Sequence, residues 1–158
     1  MFALNNVNRK TDKKPIFNGY ALVCDNNPMN LLLICDHLKI AGLNVIITVD
    51  GDDCIEIVKT LAQRLINNSD TSSENDAVKH FDLIFIDIQI SGINGLEISN
   101  KIKRIDEEVP IIALTNDNFI ENRMTYYKYG IVDCLGKPIR KQDLWYCLEK
   151  YITPKYVM

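Results

Sequence analysis

The chain has 158 residues, 47% hydrophobic and 25% charged, which suits one globular domain with a full core. A net charge of −3 gives no reason to expect nucleic acid, and the apolar stretches break within about ten residues, well short of a membrane span. The five cysteines stand singly, with no CxxC pair, and His37 and His80 lie far apart, which predicts buried reduced thiols rather than disulfides or a metal cluster. Phe2–Asn8 is too short and polar for a secretory leader, so a cytoplasmic protein, or the cytoplasmic part of a larger one, is expected.

Residues 1–18 carry Arg9, Lys10, Lys13 and Lys14 with little apolar periodicity, which predicts a flexible arm or linker outside the core. A first strand is predicted at 20–25, after which Asn27 caps a helix that has Pro28 in its first turn and runs to Ala41, before Gly42. A second strand covers 44–49. The second helix starts near Asp52 and continues towards Ile66, with Ile55, Val58, Leu61, Ala62 and Leu65 on one face. Asn67–Asp76, NNSDTSSEND, has no aliphatic residue and is predicted to be an exposed, mobile inserted loop.

The third strand is predicted at 82–87 and the third helix at 94–105, with Leu96, Ile98, Ile102 and Ile105 as its apolar set. A fourth strand at 110–115 leads to a fourth helix at 119–129 that carries Tyr126, Tyr127 and Tyr129 and ends at Gly130. The fifth strand is 131–135, the fifth helix is 141–152 with Leu144, Trp145 and Leu148 inward, and 154–158 form a tail. Five strands alternating with five helices imply an α/β domain with a parallel sheet covered on both faces through right-handed crossovers.

Four of the strands end on polar groups. LVCDNNPMN (22–30) ends the first on Asp25, FDLIFIDIQISGING (81–95) ends the third on Asp87, IIALT (111–115) ends the fourth on Thr115, and LGKPI (135–139) brings Lys137 after the fifth. Gly95 stands eight residues after Asp87, and Lys137 twenty-two after Thr115. In order and spacing these motifs closely resemble the receiver domain of two-component response regulators and hybrid histidine kinases, over residues 19–153. The resemblance implies a doubly wound five-stranded parallel sheet of order 2-1-3-4-5, the flavodoxin-like receiver fold, with the first and third strands meeting at its switch point.

It further implies that Asp87 is the phosphoacceptor, receiving a phosphoryl group from a histidine kinase or histidine phosphotransfer domain. Mg²⁺ would be held by Asp25, Asn26, Asp87 and the backbone carbonyl of Gln89, while Thr115 and Lys137 would contact phosphoryl oxygens. In the family the bond corresponding to Lys137–Pro138 is typically cis. Tyr126, Tyr127, Tyr129 and Trp145 offer a partner surface on helices four and five, with core packing the competing role for Trp145 and at least one of the tyrosines facing inwards. Self-association through those two helices is the homodimer the resemblance allows; no nucleic acid and no direct membrane contact are expected.

The chain departs from the pattern where Asp25-Asn26 replaces two adjacent acids. Asn116 stands where a small residue is usual, Cys134 where an aromatic switch residue is usual, and Ser91 where a proline is usual. These departures keep a second reading open, a pseudo-receiver that serves as a phosphorylation-independent interaction module. A phosphatase of the haloacid dehalogenase type needs a general acid two residues after its nucleophile, and Gln89 cannot serve as one. With no GxxxxGK or GxGxxG, a nucleotide site is not expected. The chain closes six residues after the fifth helix, which reads as a stand-alone regulator or a receiver cut from a larger protein, and DNNPMN with its basic lead-in looks most like a hybrid kinase.

Overall fold

The structure, a computed structural model, describes residues 16–67, 80–90, 94–116 and 119–154. In chain order it contains β1 (Tyr20–Cys24), α1 (Pro28–Ile40), β2 (Asn44–Thr48), α2 (Gly51–Asn67), β3 (Leu83–Asp87), α3 (Gly95–Ile105), β4 (Ile111–Thr115), α4 (Phe119–Lys128), β5 (Ile131–Gly136) and α5 (Lys141–Tyr151). All strand pairs are parallel, in the order β2-β1-β3-β4-β5 that the resemblance implied.

Local chemistry sets the element ends. Asn27 caps α1 by accepting the Met29 and Asn30 N–H groups at 2.9 and 3.3 Å, and Pro28 fills the first turn, where no donor is needed. Beyond the last turn Gly42 adopts φ +103°, a left-handed conformation that favours glycine, and donates to the Lys39 carbonyl at 3.0 Å.

The period-2 alternation of the strands divides the core into two layers. Ala21, Val23, Phe85 and Leu114 pack under α1 and α5 against Ile34, Leu38, Leu144 and Leu148. Leu22, Cys24, Ile84, Ile86 and Ala113 face the other way, onto Cys54 and Val58 of α2, Ile98 and Ile102 of α3, and Tyr126 of α4. All five cysteines are free thiols; Cys24, Cys35, Cys54 and Cys147 are buried as expected, whereas Cys134 is half-buried. Among the described residues no helix is long and apolar enough to cross a membrane.

The structure corrects two expectations. Phe17, assigned to the N-terminal arm, is 1% exposed; its N–H donates to the Ala41 carbonyl at 2.8 Å and its ring meets Trp145 edge-on, centroids 5.8 Å apart. A lone apolar residue ahead of a strand has no period, so only folding reveals its partner. Trp145 is accordingly a packing residue. Second, Leu65, placed on one apolar face of α2 with Ile55, Val58, Leu61 and Ala62, is 57% exposed, and Gly51, Cys54 and Val58 are the buried positions. A helix of 17 residues is about 25 Å long and a strand of five about 17 Å, so α2 outruns the sheet beneath it. The predicted arm up to residue 15, and the predicted loop from residue 68 to Asp76, lie outside the described residues.

Candidate functional site

β1 and β3 are neighbours in the sheet, but their crossovers leave in opposite directions, which opens a crevice at their carboxyl ends. Asp25 follows β1 and is fully buried. Its Oδ1 accepts the Asn27 N–H at 2.8 Å and its Oδ2 accepts from Asn30 Nδ2 at 3.3 Å, so the first turn of α1 holds both oxygens. Asp87 closes β3, is also buried, and accepts the Gln89 N–H on Oδ1 at 3.0 Å.

Lys137 reaches in from the turn after β5, where the Lys137–Pro138 bond is cis and the Lys137 N–H donates to the Thr115 carbonyl at 3.1 Å. Its Nζ lies 2.9 Å from Asp87 Oδ1 and 4.0 Å from Asp25 Oδ2. Thr115 is buried at the end of β4, the strand beside β3. Gly95 has a steric role: a Cβ there would stand 2.5 Å from the Asp87 carbonyl oxygen and 2.7 Å from Ile88 Cα. Only glycine lets α3 begin this close to the end of β3.

The fold thus gathers Asp25, Asp87 and Lys137 within ion-pair distance, with Thr115 tied to the lysine backbone. Asn26 and Gln89 are exposed at the mouth. Sequence reading missed Asn30, whose signal was a second asparagine one helical turn after the capping Asn27. Cys134, at the aromatic-switch position, packs at the margin of the core layer under α2, α3 and α4, where burial, reinforced by Asp133, pushes its thiol up to about 11. Ser91 lies outside the described residues.

Burial raises the carboxyl of Asp25 above the ordinary range, and the charge of Asp87 adds to the effect, while the Asn27 N–H, Lys137 and the Asn30 amide oppose it. Two buried carboxylates against one ammonium leave a net negative charge in the cleft. No group of three or more His, Cys, Asp or Glu residues is assembled among the described residues. The available donors are hard oxygens: two carboxylates, the Asn26 amide and the main-chain carbonyl of Gln89. Such a set fits Mg²⁺, which keeps several of its waters, and offers nothing to a thiophilic metal.

The strand order, with an acidic crevice at the switch point and a lysine entering from the last strand, defines the flavodoxin-like class of doubly wound domains. Within that class, the model of the response regulator receiver domain matches residues 21–149, and the chain belongs to that family. The hybrid signal transduction histidine kinase L of Dictyostelium discoideum is 28% identical over 138 residues, covering 84% of this chain and 7% of that protein. The two-component response regulator ARR14 of Arabidopsis thaliana is 25% identical over 126 residues, covering 75% of this chain and 33% of that protein. This chain thus spans a third or less of these curated relatives. The receiver domain of a sensor histidine kinase from Pseudomonas aeruginosa PAO1, solved with a magnesium ion coordinated in its active-site cleft, shares the fold. Its TM-score is 0.65 at 22% identity, covering 85% of this chain and 97% of that one. The chain is a receiver domain of two-component signalling.

Proposed function

We propose that this receiver accepts a phosphoryl group on Asp87 from the phosphohistidine of a cytoplasmic histidine kinase or histidine phosphotransfer domain. The observation that carries this reading is the buried Asp87 carboxylate with Lys137 Nζ at 2.9 Å and the buried Asp25 beside it. Asp87 Oδ1 is engaged by Lys137 and the Gln89 N–H, so attack falls to Oδ2. An Oδ2–P bond forms as the P–N bond to the donor imidazole breaks, and the bonding pair returns to the ring nitrogen.

Lys137 holds one phosphoryl oxygen as a point charge and the Thr115 hydroxyl donates to another. Asp25, Asp87, the Gln89 carbonyl and the Asn26 side-chain oxygen would hold Mg²⁺, which when bound neutralises charge on the transferring group. Drawing Thr115 and Lys137 towards the phosphoryl group moves the ends of β4 and β5, and with them α4 and α5. Exposed Ile120, Met124 and Tyr127 on α4 give that face an apolar surface for a partner to read. With Cys134 in the aromatic position, the readout proceeds without an inward-swinging ring.

Incubation with Mg²⁺ and acetyl phosphate is expected to add the mass of one phosphoryl group, localised to Asp87 by peptide mapping. Addition elsewhere, or none, overturns the reading.

Asn26 favours the competing interaction-module reading, because an amide supplies oxygen without charge. Restoring the carboxylate places a negative charge near the cation, worth on the order of 1 to 3 kcal/mol after hydration losses. Asn26→Asp is therefore expected to bind Mg²⁺ about tenfold tighter or better in calorimetric titration. If neither parent nor variant binds at millimolar Mg²⁺, the interaction-module reading takes over.

A further inference from the structure

Among the described strands the sheet has two edges, β2 and β5. The Asn44 N–H donates to the Gly19 carbonyl at 2.9 Å and the Thr48 carbonyl accepts the Asp25 N–H at 3.1 Å, so the even-numbered residues of β2 turn their backbone groups towards β1. By ladder alternation, Val45 and Ile47 turn theirs outward, and among the described strands none pairs with them. Ile47 and Val49 are 47% and 57% exposed along this edge. An unpaired edge with apolar side chains is a surface that seeks another strand.

Beside the edge runs a groove of about 600 Å³, walled by β2 from Ile46 to Val49 and by Asp53, Glu56, Ile57, Thr60, Leu61 and Arg64 of α2. These α2 positions recur at helical spacing, forming a stripe separate from the Gly51–Cys54–Val58 face on the sheet. The stripe is symmetric about the point between Val58 and Lys59: 53 mirrors 64, 56 mirrors 61 and 57 mirrors 60. It carries an acid at one end, a base at the other, and Ile57 and Leu61 between. Glu56 already faces Lys59 at 3.7 Å, whereas Asp53 and Arg64 have no ion-pair partner among the described residues.

We infer that a second copy of this chain docks on this edge, related by a two-fold axis perpendicular to the sheet. β2 lies antiparallel to β2 of the second copy, making one continuous sheet, and α2 lies antiparallel to its counterpart. Asp53 of each copy then meets Arg64 of the other, Ile57 faces Thr60, and Leu61 lies against the aliphatic stem of Glu56, so that Ile57 and Leu61 of the two copies adjoin across the seam. Ile47 of the edge strand lines the same groove as Ile57 and Thr60 of α2. A purely basic or purely acidic partner would face a like charge at one end of the groove; a two-fold copy faces none. This surface shares no residue with the Asp87 cleft and does not depend on phosphorylation.

Sedimentation equilibrium of the full chain tests the inference. The parent is expected to form a reversible dimer. Asp53→Lys and Arg64→Glu should each weaken it about tenfold or more, because two symmetry-related pairs change from attraction to repulsion together. An equimolar mixture of the two variants should regain near-parental affinity, since both cross-pairs in the heterodimer are opposite in sign. A structural effect of either substitution cannot produce that recovery, and circular dichroism verifies the fold of each. A parent that stays monomeric at high micromolar concentration overturns the inference. So does a dimer indifferent to both substitutions, a mixture no stronger than its components, or a dimer broken instead by Tyr127→Glu on α4.

Discussion

Asp87→Asn is expected to take up no phosphoryl group, whether from acetyl phosphate or from a phosphohistidine donor. The amide keeps the size of the side chain and can still accept the Gln89 N–H, so the crevice is retained while the nucleophile is lost. Its effect on the rest of the cleft separates a chemical role from a structural one. Asp87 and Asp25 now compete for Lys137, which sits 2.9 Å from one and 4.0 Å from the other. Without the Asp87 charge, Asp25 and Lys137 form a balanced pair, and burial remains the main influence raising the Asp25 carboxyl while the smaller contribution of the Asp87 charge is removed. The variant should therefore fold at least as well as the parent by thermal melting, yet show no labelling by mass. Labelling that survives the substitution rules out Asp87 as the acceptor.

Asp25→Asn should act in opposite directions on stability and on phosphorylation. In the metal-free protein, burial holds the Asp25 carboxyl above its ordinary value of 3.8, so the folded state binds the proton more readily than the unfolded state. As pH rises from 3.8 through the raised folded value, the parent loses stability, because the charged form must stay buried; below 3.8 this penalty is absent. The amide does not titrate. At pH 8 without Mg²⁺, Asp25→Asn should be more stable than the parent by on the order of 1 kcal/mol in urea titrations, and the two should converge below pH 4. Phosphorylation should fall about 100-fold at limiting Mg²⁺, since one of only two carboxylates is gone. A parent whose stability does not decline over this range would show that Asp25 is no cost to the metal-free fold.

The alternation of elements was legible because short apolar runs such as LVC and IFI, bounded by polar turn residues, mark buried strands, while a period of three to four marks α3, where Ile98 and Ile102 are buried and Leu96 and Ile105 partly so. Asn27, Gly42 and Gly130 were legible as punctuation for the same local reason, since capping and left-handed backbone need particular side chains. The polar residues at the strand ends stood out against apolar runs. Their assembly did not follow from any one run, and rested on order and spacing along the chain.

By itself, then, the sequence determined the five strand-helix units and their parallel sense, because local patterning and the handedness of crossovers leave little other freedom, while the set Asp25, Asp87, Thr115 and Lys137 was what the receiver resemblance implied. Tertiary structure alone decided that Phe17 belongs to the core, that Asn30 holds Asp25, and that Lys137 stands nearer Asp87 than Asp25. It alone also set which stripe of α2 faces the sheet and which overhangs the open edge of β2. These are contacts between residues distant along the chain or set by the rotation of a helix on its neighbours. The free energy that selects them comes from burying apolar surface and satisfying buried polar groups, which exists only once the layers have closed.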